Sequence, residues 1–320
     1  MSRRIEIVEV GPRDGLQNEA VALTVEDRLA FIRRLESAGV RRVEAVSFVN
    51  PKRVPQMAGA EEIIAALPRT PGRSRIGLVL NFKGWERLKA TSCEEANVVV
   101  CATDSFGLRN QGATTDQQIQ AMAAIAADQA AHGGPPLSLT ISVAFGCPFE
   151  GEVPLERVVG IAREAAALNI PEIAIADTIG AADPWAVARR VEAVRQAAPD
   201  TRLRLHFHDT RNTGLANAAA GVDAGVDVID ASCGGIGGCP FAPAATGNVA
   251  TEDLVHMLER GGFQTGLDLD GLIETGRWIS GKLGRTPTSA LSRAGRFPKV
   301  RASSPLPQGE DGARAAGVGR

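Results

Sequence analysis

Several residue types are scarce in this sequence. It contains no tyrosine, and aromatic residues make up 4% of its 320 residues. The five cysteines are odd in number and show no CxxC spacing, which favours neither a disulfide framework nor a zinc-ribbon site. This pattern is typical of free thiols in a reducing compartment. The sequence therefore predicts a cytoplasmic protein whose fold does not depend on disulfide bonds.

The sequence also lacks long apolar runs and a strong charge of either sign. The longest alanine-rich stretch, residues 121–131, is interrupted by Asp128 and Gln129 and is too short to cross a bilayer. The amino terminus shows no signal-peptide pattern. A net charge of −2 and a sequence pI of about 6.2 provide no general attraction to nucleic acid or to an anionic membrane. We expect neither as a partner.

What is present is an alternation of short β-branched runs with longer helical patterns, which is typical of βα units. Eight strands are predicted: Ile5–Val10, Val43–Phe48, Ile76–Leu80, Asn97–Ala102, Leu137–Ala144, Glu172–Ala176, Arg202–Phe207 and Val226–Asp230. Eight strands followed by helices predict an α/β fold, the (β/α)8 TIM barrel. The alternative is a doubly wound open sheet, which usually has fewer strands and a glycine-rich turn after the first. Here the first strand ends in GPRDG.

Helix signals support the same division of the chain. Thr24 is a predicted N-cap, Gly39 a predicted stop, and Asp183 is a predicted N-cap followed by proline. Further helices are predicted from about residue 251 to about 284. We expect a catalytic domain over residues 1–285 and an extension over 286–320, disordered from about 301 because its composition turns to Ser, Pro, Gly, Ala and Arg.

Two of the four histidines lie close together at a predicted strand end. His206 and His208 are two residues apart, so both side chains point to the same face of the strand. A lone histidine is more often a satisfied core residue, but a same-face pair at a barrel mouth indicates half of a metal site. Asp14 and Asn248 are the predicted remaining ligands. Oxygen and imidazole donors without thiolate favour Mg²⁺ or Mn²⁺, although catalytic zinc stays possible.

Three further charged residues lie on or beside predicted strands. Arg13 precedes Asp14, and we interpret Arg13 as an electrophile beside the metal ligand Asp14. The alternative is that Arg13 is a surface cation and that Asp14 belongs to a common Asp-Gly turn. Glu44 and Asp177 lie on apolar strands, where an unpaired carboxylate is costly. Either they are paired structurally, or they orient other groups or act as acid and base in the site. We favour the site.

The loop after the eighth strand is the most distinctive segment. It reads GGIGGCP over residues 234–240, and its glycines give the backbone freedom to close over a substrate. The phosphate-binding patterns GxGxxG and GxxxxGK[ST] are absent. We predict a proton-transfer role for Cys239, whereas the other four cysteines are read as small buried hydrophobic residues, which is the alternative for Cys239 too.

Six segments resemble successive motifs of the 3-hydroxy-3-methylglutaryl-CoA lyase family, in the family's order, over roughly residues 5–285. They are VEVGPRDGLQNE, SFVNPKRVPQMAG, GCPFEGEV, DTIG, HFHDTRNTGLAN and GGIGGCPFAPAATGNVATEDLVHMLE. The HxH pair and the Arg-Asp pair are shared more widely, with related aldolases and Claisen-type synthases on the same barrel. The GGCP and TGNVATEDL segments narrow the resemblance to the lyases.

The resemblance implies a role for each matching position. It implies that the metal ligands are Asp14, His206, His208 and Asn248. It implies that Arg13 stabilises an enolate, that Cys239 is a catalytic thiol, and that Glu44, Asp177 and Glu252 are acidic residues around the site. Gln17, Ser47, Gly237 and Gly238, together with Glu252, are expected to contact the substrate or orient other groups. An acyl-CoA thioester substrate, a divalent cation and a homodimer are also implied.

The sequence departs from the family pattern around the expected acyl pocket. Strand five has Thr140 in place of an aromatic residue, Ala174 replaces a usual serine, Ala20 replaces a lysine, and residues 102–111 differ from a serine-rich basic loop. We therefore expect cleavage of 3-hydroxy-3-methylglutaryl-CoA, or of a homologous 3-hydroxyacyl-CoA, to acetyl-CoA and acetoacetate or its counterpart. The alternatives are a Claisen-type acyltransferase, a pyruvate-forming aldolase, or a non-catalytic barrel that binds metal or acyl-CoA.

Overall fold

The computed structural model describes residues 3–238 and 247–297. Its strands are β1 (Glu6–Glu9), β2 (Arg42–Ser47), β3 (Ser74–Val79), β4 (Glu95–Cys101), β5 (Leu137–Ser142), β6 (Gly146–Cys147), β7 (Gly151–Glu152), β8 (Glu172–Asp177), β9 (Arg202–Phe207) and β10 (Val228–Ala231). Eight of them form a closed parallel barrel in the order β1-β2-β3-β4-β5-β8-β9-β10, and β10 pairs with β1. Closure confirms the predicted TIM barrel and excludes the open sheet. Strands β6 and β7 form a separate antiparallel pair after β5.

Helices follow the strands around the outside of the barrel. They are α1 (Val25–Ser37), α2 (Ala60–Ala65), α3 (Phe82–Lys89), α4 (Asp104–Asn110), α5 (Thr115–His132), α6 (Leu155–Ala167), α7 (Pro184–Ala197), α8 (Gly214–Asp223), α9 (Thr251–Arg260), α10 (Leu269–Lys282) and α11 (Ala290–Ala294). The predicted starts of α1 and α7 are confirmed, because Thr24 accepts from the Asp27 N–H and Asp183 from the Ala186 N–H. Within the described part of the chain, no helix is long and apolar enough to span a membrane.

The carboxy-terminal helices pack onto the barrel, and this packing continues beyond the predicted boundary at residue 285. The carboxylate of Asp253 on α9 accepts hydrogen bonds from the Ser289 hydroxyl and from the N–H groups of Ala290 and Leu291. These bonds hold the start of α11 against α9. The segment from residue 301, predicted to be disordered, lies outside the described residues.

One end of the barrel interior is filled by charged side chains. Arg42 on β2 donates two hydrogen bonds of 2.9 Å to Glu172 on β8 and two of 2.9 Å to Glu95 on β4. Branched apolar residues usually fill this space in TIM barrels. Here ion pairs link strands on opposite sides of the barrel, and residues at the carboxyl ends of the strands lie above them.

Candidate active site

Strand β9 and the residue directly after it present two histidines, His206 and His208, to the barrel interior. Because side chains alternate along a strand, Phe207 points away and packs against Phe145, with ring centroids 6.2 Å apart. The rings of His206 and His208 lie on the opposite face with centroids 5.2 Å apart. Both imidazoles are buried. The strand therefore holds the two rings next to each other at the mouth of the barrel.

Asp14 approaches the histidines from a tight turn that directly follows β1. This turn, Gly11–Gly15, is a single π-helical turn with Pro12 near its start. The Oδ2 atom of Asp14 lies 3.6 Å from Nε2 of His208. One donor atom from each of Asp14, His206 and His208 lies within 4.8 Å of the other two, an arrangement that can hold a metal ion.

Asn248 reaches the same place through the loop that follows β10. It pairs with His208 in a short antiparallel bridge, and the Asp209 N–H donates to the Gly247 carbonyl over 2.9 Å. The amide nitrogen of Asn248 donates to Asp14 Oδ2 over 2.8 Å and to the Ile236 carbonyl over 3.2 Å. Its Oδ1 atom is buried without a hydrogen-bond partner among the described residues. This free oxygen is available as a ligand.

The donor set fits a hard divalent cation. It consists of carboxylate, amide and imidazole donors, the kinds preferred by Mg²⁺ and Mn²⁺ when no thiolate is present. His206 Nδ1 lies 3.2 Å from Asp230 Oδ2, which leaves Nε2 to face an ion. Burial alone raises the pKa of Asp14, but the charge of Arg13 and the hydrogen bond with His208 outweigh it and hold the pKa well below its usual range. Asp14 is therefore a carboxylate at neutral pH.

Arg13 is fixed beside the ligand candidates by acidic neighbours. Its Nε and Nη2 atoms each lie 2.6 Å from Glu44 Oε2, and Nη1 lies 2.8 Å from Asp14 Oδ1. The other oxygen of Glu44 accepts from Asn97 over 2.9 Å, and Asn97 accepts from the Thr140 hydroxyl over 3.0 Å. A hydrogen-bonded chain across β5, β4 and β2 therefore orients the guanidinium.

Three other predicted site residues are buried, and they are not among the described residues that line the cavity at the mouth of the barrel. Asp177 accepts from two backbone N–H groups of the following turn, those of Ala181 at 2.8 Å and Ala182 at 2.9 Å. Burial raises its pKa. The Ser47 hydroxyl is buried without a hydrogen-bond partner among the described residues. Glu252 accepts from the Gly234 N–H below the loop that follows β10, and burial raises its pKa as well.

A cavity of about 600 Å³ opens above Arg13 and the metal-ligand candidates. Arg13, Asp14, both histidines, Gln17 and Gly238 contribute to its lining. Apolar side chains form part of the wall: Val49, Val54, Leu78, Leu80, Val99 and Phe106. The Asn18 amide donates to the Gly238 carbonyl over 2.8 Å, and the Gly237 N–H donates to Glu19 over 3.3 Å. Cys239 lies outside the described residues.

Among the polar lining residues of this cavity that sequence reasoning missed, two contact predicted site residues. Asp230 contacts His206, and Asn97 contacts Glu44; both are buried on strands and line the cavity. The signal was available, since a lone polar residue on an apolar strand is the same pattern that pointed to Glu44. Their partners, however, depend on how the strands are arranged around the closed barrel.

Comparison with known proteins gives a consistent result. The family model described as HMGL-like matches residues 4–279. The chain is 41% identical to (R)-citramalyl-CoA lyase of Chloroflexus aurantiacus, covering 94% of this chain and 98% of that one. It is 40% identical to hydroxymethylglutaryl-CoA lyase of Pseudomonas mevalonii, over 91% and 95%. A solved HMG-CoA lyase of Acinetobacter baumannii, in complex with coenzyme A and 3-methylmalate, superposes with a TM-score of 0.88 at 37% identity, over 95% and 98%. The chain therefore belongs to the HMGL-like family and is a hydroxymethylglutaryl-CoA-lyase-like carbon–carbon lyase.

Proposed function

We propose that this protein cleaves 3-hydroxy-3-methylglutaryl-CoA, or a homologous 3-hydroxyacyl-CoA, to acetyl-CoA and acetoacetate or its homologue. The observation that carries the proposal is the convergence of Asp14, His206 and His208 with Arg13 at one cavity. In this reaction a tertiary alcohol loses its proton, the adjacent carbon–carbon bond breaks, and the acetyl-CoA enolate receives a proton. The coenzyme A in the solved relative supports an acyl-CoA substrate.

We propose that Asp14, His206, His208 and Asn248 hold a Mg²⁺ or Mn²⁺ ion. Such an ion supplies Lewis acidity, which lowers the pKa of the alcohol that must lose its proton. The buried, unpaired Oδ1 of Asn248 supports its inclusion, because an unsatisfied polar atom in the interior is costly unless a ligand meets it.

Arg13 is the proposed stabiliser of the enolate. Negative charge develops on the thioester oxygen as the carbon–carbon bond breaks, and a fixed guanidinium beside that oxygen needs no reorganisation to stabilise it. Glu44 and Asn97 hold Arg13 in this orientation before substrate binds. Glu44 is therefore proposed as an orienting residue.

Cys239 is the proposed proton-transfer group. It directly follows Gly238, whose backbone lines the cavity. A thiol delivered there by the loop is suited to protonate the enolate carbon once water is excluded. Gly237 and Gly238 supply the backbone freedom for that loop, and Gln17 lines the cavity as a substrate contact. Ser47, Asp177 and Glu252 are proposed to support the neighbouring loops and ligands.

A second candidate is the cleavage of a citramalyl-CoA to acetyl-CoA and pyruvate. The 41% identity to the Chloroflexus enzyme favours it. The two acyl groups differ by one methylene between the alcohol carbon and the terminal carboxylate, so the same residues can serve both reactions. Thr140 and Ala174, at positions where the family usually has larger or polar side chains, lie on adjacent strands and are registered with each other. We therefore expect these two positions to determine which acyl length the enzyme accepts.

The deciding experiment offers both thioesters, and a panel of 3-hydroxy-3-alkylglutaryl-CoA analogues, to the purified enzyme with Mg²⁺ or Mn²⁺. Release of acetyl-CoA with acetoacetate identifies the first function, and release with pyruvate the second. The Asp14→Asn variant is the matched control, because it keeps the side-chain shape but removes the charge. If every thioester remains intact, the proposed reaction is wrong, and a non-catalytic barrel is favoured.

We also propose that the protein acts as a homodimer in the cytoplasm, independently of nucleic acid and membranes. The free cysteines support a reducing compartment, since Cys93, Cys101, Cys147 and Cys233 are buried and unpaired with one another. Sedimentation of the purified protein tests the dimer; a single species of about 33.5 kDa would contradict it.

A further inference from the structure

A buried arginine lies directly beneath the metal-ligand candidates. Arg204 precedes His206 by two residues on β9, so its side chain points into the barrel on the same face. It is 1% exposed. Arginine is rarely buried so completely unless charged partners surround it. No role assigned above accounts for this residue.

The contacts of Arg204 connect it to His206 through Asp230. Its Nε atom lies 3.5 Å from Asp230 Oδ1 and 3.4 Å from Glu172 Oε1. The second oxygen of Asp230, Oδ2, lies 3.2 Å from His206 Nδ1. The carboxylate of Asp230 thus lies between a guanidinium at ion-pair distance on one side and the imidazole on the other.

This placement determines how His206 faces the cavity. A ligating histidine usually binds a carboxylate or carbonyl through its second nitrogen, and that partner fixes the orientation of the ring. Asp230 can orient the ring only if its own carboxylate is held in place, and a buried carboxylate without a cationic neighbour carries a large desolvation cost. Within the described part of the chain, Arg204 is the cation in ion-pair contact with Asp230 besides His206 itself.

We infer that Arg204 is a positioning residue for the metal centre, acting through Asp230 to direct Nε2 of His206 towards the ion. The inference rests on the proposed function, because it assumes that His206 is a ligand. It assigns Arg204 no contact with substrate or metal. Glu172, which also pairs with Arg42, lies within ion-pair distance of the same Nε atom.

The test measures Mn²⁺ binding to the metal-free full-length protein, from the electron paramagnetic resonance signal of free Mn²⁺. Loss of an outer-sphere partner typically weakens metal binding by 10–100-fold, so Arg204→Met should raise the Kd for Mn²⁺ by about that factor. Asp230→Asn should do the same. Because both changes interrupt the same contact between Arg204 and Asp230, the double variant should lose no more affinity for Mn²⁺ than either single variant. Arg204→Lys keeps the charge and should bind more tightly than Arg204→Met.

Arg202→Met is the matched control. Arg202 is on the same strand and pairs with Glu6 at 2.8 Å and Glu172 at 3.7 Å, but its side chain is half-exposed and forms no ion pair with Asp230 within the described part of the chain. Its replacement should change the Kd by no more than about twofold, since exposed ion pairs contribute little. Circular dichroism establishes that each variant is folded. If Arg204→Met is not, Arg204→Gln takes its place with the same expectation.

Three results would overturn the inference. The first is wild-type Mn²⁺ affinity in a folded Arg204→Met or Arg204→Gln protein, which leaves the proposed function intact. The second is an equal loss of affinity in Arg202→Met, which would mean that any change to the charged residues inside the barrel weakens Mn²⁺ binding. The third is a wild-type protein that binds no Mn²⁺, which would remove the proposed metal site as well and is thereby distinguishable from the other two.

Discussion

Arg13 is held so tightly that even a lysine should fail in its place. Three guanidinium nitrogens contact Glu44 and Asp14 at 2.6–2.8 Å, whereas a single ammonium cannot keep those contacts and face a substrate oxygen. Arg13→Lys should lower kcat by about 10²–10³-fold, the scale for losing one oxyanion donor, with a smaller change in KM. Steady-state kinetics measure this. Arg33→Lys, on the exposed face of α1, is the control. Unchanged kcat in Arg13→Lys would contradict the enolate role.

Cys239 is predicted to affect rate, and the buried cysteines to affect stability. Cys239→Ala should lower kcat by about 10²–10⁴-fold, the range for general acid–base catalysis, with little change in metal affinity. Burial raises the pKa of Cys93 to about 12, and its thiol donates to the Arg75 carbonyl over 3.2 Å. Cys93→Ala should therefore lower Tm and leave kcat unchanged. Near-normal kcat in Cys239→Ala would assign this thiol to packing.

Glu9 should make stability depend on pH. It lies at the end of β1 and accepts hydrogen bonds from Gly11, Cys233 and Thr251, and burial raises its pKa from 4.5 to about 8. Between these values the folded protein keeps a proton that the unfolded chain has lost. The contribution of Glu9 therefore lowers the free energy of unfolding as pH rises through this range.

Replacing Glu9 by glutamine removes that titration but keeps an acceptor and a donor. Urea unfolding of Glu9→Gln at about pH 5 and about pH 8 should show a smaller loss of stability with rising pH than the wild type. Glu164→Gln, on the exposed surface of α6, should behave like the wild type. The same pH dependence in Glu9→Gln and wild type would show that Glu9 is not the protonated group.

At the residue scale, sequence reasoning succeeded where one strand or turn carried the whole signal. The same-face placement of His206 and His208 follows from strand alternation alone, and the structure places Asp14 beside them. The importance of Asp230 depends instead on the register between β9 and β10, in which Val228 is opposite Arg204. That register is set by closure of the barrel, which no local pattern specifies.

The loop after β10 provides a prediction at the scale of one element. Gly237 has φ +106°, and a Cβ there would lie 2.7 Å from the Asn248 amide nitrogen and 3.0 Å from the Gly15 Cα atom. Gly237→Ala should displace Asn248 and raise the Kd for Mn²⁺ by about tenfold or more. Calorimetric titration measures it. Gly262→Ala is the control, because Gly262 has φ +85° but open space around it. If both variants bind Mn²⁺ like the wild type, Asn248 is not a ligand.

Element boundaries were predictable only where local chemistry fixes them. The run Leu137–Ala144 was predicted as one strand, but β5 ends at Ser142 because Val143 adopts φ +51° and donates its N–H to Thr178. A β-branched residue rarely adopts that conformation, so only a tertiary contact explains it. The short strands β6 and β7 and helix α11 were missed because two to five residues carry little periodic signal.

At the scale of the molecule, the count of strands was enough to predict the barrel, but not what fills it. Apolar runs predict an apolar interior, yet Arg42, Glu95, Glu172 and Arg204 meet inside it. Each of them lies at or near the start of a strand, where a charged residue usually indicates a solvated end. Only closure of the sheet converts these ends into an interior layer of ion pairs.

The proposed metal ion should stabilise the whole fold, because its ligands come from three separate parts of the chain. Asp14 follows β1, His206 is on β9 and His208 directly follows that strand, and Asn248 follows β10. A ligand that binds only the folded state at about 100 times its Kd stabilises that state by roughly 2.7 kcal/mol. Adding Mg²⁺ or Mn²⁺ to chelator-treated protein should thus raise Tm by roughly 5 °C and restore lyase activity.

Calorimetric melting curves with and without each ion measure this shift. Asp14→Asn is the matched control: its amide keeps the size of the side chain but loses the negative charge that attracts the ion and pairs with Arg13. Its Tm should not respond to either ion, and activity should stay low at any ion concentration. A chelator-treated wild type with full activity and an unchanged Tm would contradict the metal assignment. If Tm rises equally in Asp14→Asn, the ion is bound elsewhere, and the stabilisation does not come from this site.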